Sequence, residues 1–263
     1  MQKKTPSEIS AEHHNMKAGD FEKNYENYEN NKFFNAFTLG RAKIDIEINN
    51  LTKMLNIGSK ILDVGCGTGD QLKIFEKIGF DAYGLDPAPD MITIAKKNVI
   101  DPSKISLGSC EHLPFDNNTF DCVVMVEVLR YFDSKSIDKA LEEARRVLKP
   151  GGIMFCTFVN RWCLDFFYIF QKFRQITKKN DFDIKNPHCE FFTPGEVEKL
   201  LHNFNFKEIK TIGNMFSPIR IIYKLNRKLG EMLAKKIENF DNYISKKKFF
   251  KPLSGHLISI CKK

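Results

Sequence analysis

The chain has 263 residues, 42% of them hydrophobic, which suffices for one large packed domain and excludes wholesale disorder. A formal charge of +8 points to anionic partners such as nucleic acid, lipid head groups or acidic metabolites, or to no more than a lysine-rich solvated surface. Seven cysteines, odd in number, widely spaced and without a C-x-x-C pair, argue against a disulfide framework or a structural zinc site and suit a reducing, cytoplasmic compartment.

The N-terminus "MQKKTPSEISAEHHNMKAGD" is polar and carries no apolar leader. Residues 1–32, with the local repeat "NYENYENN", read as a mobile arm or a lid that orders on binding. The remaining 33–263 read as one domain. It opens on an amphipathic helix in which Phe33, Phe37, Ile44, Ile48, Leu51 and Leu55 fall near helical spacing. Strand and helix patterns then alternate. "SKILDVG", "FDAYGLD", "KISLGSC", "FDCVVMVEV" and "IMFCTFV" are strands, separated by helices at "DQLKIFEKI", "PDMITIAKKN" and "SIDKALEEARRVL", the last broken by "KPGG". Unbroken apolar strands joined by helices imply a parallel sheet covered on both faces. Residues 160–192 break the rhythm as an aromatic and basic insertion. In "TPGEVEKLLHNF" a Thr N-cap and a following proline start a helix. "FKEIKTIG" is a strand, residues 218–251 form a second, basic helical insertion, and "LSGHLISICKK" closes as an alternating strand. The apolar window 153–170 is interrupted by Asn160, Arg161 and Asp165, which argues against a spanning helix.

The most informative stretch is "ILDVGCGTGDQ", residues 61–71, an apolar strand running through glycines into a helix. The dinucleotide fingerprint needs a glycine three residues after Gly67; Asp70 stands there. A carboxylate at a helix start competes with phosphate for the same free N–H groups. No Gly-Lys-Ser/Thr follows, so a P-loop is also excluded. The loop suits a ligand that needs close backbone approach and carries no phosphate, and S-adenosylmethionine is such a ligand. Asp63 would meet its ammonium through water or backbone, and Gly65 and Gly67 its amino-acid portion. Asp86, at the end of the second strand, would accept the ribose hydroxyls.

"ILDVGCGTGD", "GLDPAPDMI", "CEHLPFDNNTFDCVVMVEVLRYF" and "ARRVLKPGGIMF" together resemble consecutive motifs of the class I S-adenosylmethionine-dependent methyltransferases. The branch they resemble is the small-molecule type that includes the ubiquinone and menaquinone methyltransferases. The resemblance covers residues 35–160. It implies a Rossmann-like α/β fold: a seven-stranded, mostly parallel sheet with an antiparallel last strand and helices on both faces. It also implies that Asp63, Gly65 and Gly67 line the cofactor, that Asp86 holds the ribose and that Met91 lies near the adenine. Where the family commonly has an aspartate on the adenine amino group, this chain has Ser109, Cys110 and Glu111, so the contact falls to the Ser109 hydroxyl, the Cys110 backbone or Glu111. Arg41 stands where ubiquinone-type enzymes clamp the methionine carboxylate. The same enzymes carry Glu, Glu and His after the fourth strand as a divalent-metal site; here Glu127, Arg130 and Tyr131 stand there, and one carboxylate beside a cation implies no metal.

Transfer to oxygen usually needs a general base. His188 in "NPHCEFFTP" is the first candidate, with Glu190, His112, Glu127 and Tyr131 behind it. His13, His14, His202 and His256 have no motif around them. The aromatic insertion and the basic tail would cap the cleft, and basic tail residues could meet an anionic membrane or form only a solvated face. The acceptor is then a small or lipid-like molecule taking the methyl group on oxygen or nitrogen. Two rivals stay open: an RNA or DNA methyltransferase, disfavoured because "VEVLRYF" lacks the Pro-Pro-aromatic motif of the amino-methylating enzymes, and a non-catalytic binding protein of the same fold.

Overall fold

A computed structural model describes residues 4–30, 36–164, 166–177, 184, 187–214, 219–245 and 247–263. Two helices, α1 (Pro6–Glu29) and α2 (Ala36–Thr52), come first. The alternating half follows: β1 (Lys60–Val64), α3 (Asp70–Ile78), β2 (Asp81–Asp86), α4 (Pro89–Asn98), β3 (Ile105–Leu107), β4 (Phe120–Met125), α5 (Ser134–Val147) and β5 (Leu148–Val159). Then come α6 (Phe167–Thr177), α7 (Pro194–Asn203), β6 (Lys207–Asn214), α8 (Ile219–Leu225), α9 (Arg227–Ser245) and β7 (His256–Lys262). Residues 33–35, where the sequence pattern starts the second helix, lie outside the described residues.

The strands form one sheet in the order β3-β2-β1-β4-β5-β7-β6. β1 to β5 run parallel, and β7 is antiparallel to both its neighbours, β5 and β6. This is the Rossmann-like arrangement the sequence implies. Chain order reverses between β1 and β4, and a crevice opens there at the carboxyl ends of the strands. Strand alternation sends Ile61 to one face and Leu62 to the other. The Ile61 face packs on Ile48 and Leu51 of α2, Leu72 and Phe75 of α3 and Ala95 of α4; the Leu62 face packs on Leu141 and Ala144 of α5 and Leu201 of α7. All seven cysteines are buried, and none is in a disulfide.

Three features depart from the sequence pattern. Pairing of β5 with β4 starts at Leu148, then slips across "KPGG", where Gly151 takes a φ of +77°, and resumes at Ile153. The polar arm is largely one helix, α1. Its N-terminus is fixed by a capping box: Thr5 accepts from the Glu8 N–H, and the Glu8 carboxylate accepts from the Thr5 N–H at 2.7 Å. Little of α1 is apolar; Ala18 and Phe21 pack on Ala88, Met91 and Ile94 at the start of α4, and Asn15 accepts from the Asp90 N–H at 2.8 Å. Finally, no described residue of the two insertions lines the crevice, although the Ile184 carbonyl meets His13 on α1 at 2.5 Å. In α6, Phe167 and Tyr168 pack on Val159 and Phe191 while Ile169, Phe170 and Phe173 are exposed, and α8 and α9 lie against α2 and against each other. Among the described residues no helix is long and apolar enough to cross a membrane.

Candidate functional site

The glycine loop between β1 and α3 is tied to β2 by two bonds, from the Gly65 and Cys66 N–H groups to the Leu85 carbonyl. Gly65 has φ +74°, and a Cβ there would collide with Val128 Cγ2, so no side chain fits. At Gly67, φ +52°, an added Cβ would meet nothing within 4 Å, because that face of the loop borders a cavity. Asp70 sits in the first turn of α3 and accepts from the Thr68 hydroxyl, which puts a carboxylate where a phosphate would otherwise dock.

That cavity measures about 590 Å3. Gly65, Gly67, Asp86, Met91, Ser109, Cys110 and Glu111 line it from the sheet side, and α1 roofs it with Ser10, Ala11, His14, Phe21 and Tyr25. The Ser7 hydroxyl bonds Glu111 at 3.4 Å and latches the start of α1 to the loop after β3. Asp86 is buried, and its two oxygens accept from the Gly67 and Ala88 N–H groups, each at 2.9 Å. Burial outweighs these bonds and pushes its carboxyl up to about 6. A carboxylate has about four acceptor directions, so two remain for a pair of ribose hydroxyls. Burial also pushes the Cys110 thiol up, so Cys110 stays neutral and offers no nucleophile.

A second cavity of about 300 Å3 adjoins the first and shares with it His14, Phe21, Tyr25, Val126, Glu127 and Tyr131. Arg41 lines this smaller cavity rather than the larger one. Its Nε lies 2.8 Å from Asp45, one Nη donates to Gln71 and the other reaches the Tyr25 hydroxyl at 3.5 Å. Beside it the buried Gln71 Nε2 has no hydrogen-bond partner among the described residues. Such an orphan donor next to a guanidinium fits a ligand carboxylate. Asp63 lines neither cavity. It is buried behind the loop, where desolvation lifts its carboxyl to about 7 against the pull of Arg41.

The structure redistributes the candidate bases. His188 lines neither cavity; its Nε2 lies 3.0 Å from the Glu190 carboxylate, and the segment is anchored by the Glu190 N–H to the Arg130 carbonyl at 2.7 Å. His112 and Glu190 are also absent from both linings. Glu127 does face the cavities, yet it is a poor base. Burial would raise its pKa, but His256 at 2.8 Å and Arg130 at 2.6 Å outweigh burial and hold it well below the usual carboxylate range. Tyr131 lines both cavities, and burial pushes its phenol up, so it is no base at neutral pH. Two histidines that the sequence passes over reach the cavities instead. His14 sits on the shared wall, its Nδ1 2.7 Å from the Ser10 carbonyl, and burial pushes its pKa down to about 4. His256 lines the smaller cavity from the first position of β7. "TPSE" before α1 matches the N-cap pattern of "TPGE" before α7 and marks the helix that carries His14. His256 becomes visible only once β7 is paired.

A sheet of this order, a glycine loop at its switch point and a buried carboxylate ending the second strand define a nucleoside-binding domain of Rossmann-like type. A methyltransferase-domain family model matches residues 62–156. An uncharacterized protein of Methanocaldococcus jannaschii is 30% identical over 258 residues, covering 86% of this chain and 94% of that one. A ubiquinone biosynthesis O-methyltransferase of Aliivibrio fischeri is 26% identical over 178 residues, 65% of this chain and 73% of that one. Among solved structures, an S-adenosylmethionine-dependent methyltransferase from Thermotoga maritima shares the fold at a TM-score of 0.57 and 19% identity, covering 95% of this chain and 97% of that one. The chain belongs to the class I S-adenosylmethionine-dependent methyltransferases. Its cofactor is S-adenosylmethionine, which leaves as S-adenosylhomocysteine.

Proposed function

We propose that the chain methylates an oxygen or nitrogen of a small molecule held in the smaller cavity, with the cofactor in the larger one. The observation that carries this reading is the pair of adjoining cavities beneath α1, with a common wall at His14, Glu127 and Tyr131. Bound there, the cofactor supplies a methyl group on a sulfonium, already electrophilic. The protein's part is to align, to exclude water and to manage one proton. In this reading Gly65, Gly67 and Asp86 hold the amino-acid and ribose portions, Met91 and Ser109–Glu111 surround the adenine, and the carboxylate reaches past Tyr25 on the shared wall to Arg41 and Gln71. Helix α1 acts as a lid, because a ligand beneath it enters only when its latches at Ser7 and Asn15 open.

Support for a small acceptor comes from the size of the second cavity and from the relatives. The Aliivibrio fischeri protein is named for ubiquinone biosynthesis, and a Staphylococcus epidermidis relative, 39% identical over 104 residues, is named a demethylmenaquinone methyltransferase. The seven buried thiols agree with a reducing compartment such as the cytoplasm. Calorimetry tests the cofactor assignment: S-adenosylhomocysteine should bind and NAD should not. Label transfer from S-adenosylmethionine should go to a small-molecule extract and not to bulk RNA. Labelled RNA would overturn the acceptor class.

A further inference from the structure

We propose that His256 is the general base of this enzyme, that Glu127 positions it, and that the smaller cavity takes a single-ring phenol. The proposal rests on the methyl-transfer reading and adds the base and the acceptor chemistry.

β7 runs antiparallel to its neighbours, so its first residue arrives at the edge where the other strands end. His256 stands opposite Val159, the last residue of β5, and opposite Asn214, the last of β6. Its Nδ1 lies 2.8 Å from Glu127 Oε1. Glu127 is anionic, and an anionic acceptor at Nδ1 keeps the ring proton on that nitrogen. Nε2 is then left with its lone pair. No described residue hydrogen-bonds Nε2, and the side chain lines the smaller cavity. A base oriented by a carboxylate on its far nitrogen is the arrangement that activates hydroxyl groups in many unrelated enzymes.

The carboxylate is itself fixed on every side. Arg130 Nη1 donates to Oε2 at 2.6 Å, and the Thr157 hydroxyl donates to Oε1 at 3.2 Å. The Glu127 N–H in turn donates to Thr157 Oγ1 at 2.7 Å. Glu127 takes a left-handed φ of +58°, which a non-glycine residue holds only where its surroundings over-determine it. Such strain gathers at functional sites.

The cavity sets the acceptor. At about 300 Å3 it lies at the small end of ligand pockets. An apolar cavity of about 150 Å3 already admits benzene, so one substituted ring fits. Phe21, Phe37, Ile44 and Ile258 supply apolar walls. The charged and titratable groups around His256 are Glu127, Arg130 and Tyr131 from the loop after β4, His14 and Tyr25 from α1, and Arg41 from α2. His14 is neutral, and Arg41 is shared with Asp45. Arg130 is paired with Glu127 as Arg41 is with Asp45, so the lining is balanced in charge and admits the acceptor as a neutral phenol. The phenol O–H breaks, Nε2–H forms, and the oxygen keeps the electron pair as the phenolate nucleophile. The imidazolium is held by Glu127 and returns its proton to water when the cavity opens.

The test uses 4-nitrophenol, colourless as the phenol and yellow as the phenolate, added to the full chain saturated with S-adenosylhomocysteine. Bound probe should turn yellow at a pH about one unit or more below free probe, a tenfold shift in the ionisation equilibrium. His256→Gln should abolish that shift while keeping S-adenosylhomocysteine affinity within about threefold. Glu127→Gln should reduce it per bound probe, because the amide leaves the imidazolium without its anion; a merely structural Glu127 would leave the colour of bound probe unchanged. Probe bound as neutral phenol, no probe binding to the loaded protein, or a yellow complex that survives His256→Gln would each overturn the proposal. If His256→Gln fails to fold, the wild-type spectrum and Glu127→Gln decide it. Failure of S-adenosylhomocysteine itself to bind would remove the underlying reading instead.

Discussion

Replacing Asp86 by Asn keeps the shape of the side chain and removes one charge and one acceptor. Both Asp86 oxygens already accept a backbone N–H, from Gly67 and from Ala88. An amide has one oxygen, so its NH2 must face one of those N–H groups, donor against donor. The variant therefore disturbs the loop and removes an acceptor for the ribose. Hydrogen bonds to a charged group are worth about 1.5–3 kcal/mol. At about 1.4 kcal/mol per factor of ten, S-adenosylhomocysteine should bind roughly ten- to a hundredfold more weakly. The pH dependence carries a second signature. In the free protein the Asp86 carboxyl is lifted to about 6, and ligand binding favours its charged form. Wild-type affinity should fall as pH drops through that value, by up to about tenfold per unit, and the Asn variant should lose this part of the slope. Folding responds with the opposite sign. A carboxyl raised above its unfolded value of 3.8 disfavours the folded state while ionised, and that cost fades as pH falls through about 6. The midpoint of thermal unfolding should therefore change little in Asp86→Asn, since relief of the buried charge offsets the lost bonds. Titration calorimetry at neutral and acidic pH, with a melting curve for each protein, reads all of this. Affinity within about threefold of wild type, or an unchanged pH slope, would refute the ribose assignment.

Gly65→Ala should cost about 1–3 kcal/mol through its positive φ alone, with more from the contact with Val128, and Val128→Ala should recover only the second part; no drop in melting temperature would show that the loop relaxes freely. Arg130 and His256 already occupy Glu127, so Mg2+ added to EDTA-treated protein should leave the melting temperature unchanged, whereas a rise of several degrees would place a metal beside Glu127. Amide exchange along Pro6–Glu29 should slow when S-adenosylhomocysteine is bound, and a chain lacking residues 1–32 should fold yet hold the cofactor less tightly; equal exchange with and without ligand would remove the lid.

The sheet and its helices were legible because their signals are local. Gly69 and Gly79 bracket α3 in left-handed conformations, and the Thr193–Glu196 capping box marks α7 to the residue. The lining of the larger cavity was legible for the same reason, since Gly65, Gly67 and Asp86 belong to one strand–helix–strand unit. The smaller cavity was not. His256 meets Glu127 across 129 positions in the chain, and nothing near either residue announces the other. Helix α1 hid behind its composition: it is nearly polar throughout, and it is held by a few latches rather than by an apolar stripe. His188 sits in a loop of promising character, but its ring turns to Glu190 two residues away.

The place of β7 in the sheet bears on how the protein is made. β7 follows β6 in the chain yet lies between β5 and β6. While synthesis proceeds from Val159 to His256, the edge of β5 has no neighbour, and β6 has nothing to pair with. That edge belongs to a strand whose residues from Gly152 to Val159 are all buried in the finished sheet. An open apolar edge is a template for pairing with another chain. The nascent protein therefore passes through a stage in which aggregation competes with completion, and the segment that ends the stage is the one that delivers His256. A chain interrupted before β7 would lack more than a base: it would expose a sticky strand, and it should accumulate in chaperone complexes or inclusion bodies rather than as an inactive soluble enzyme.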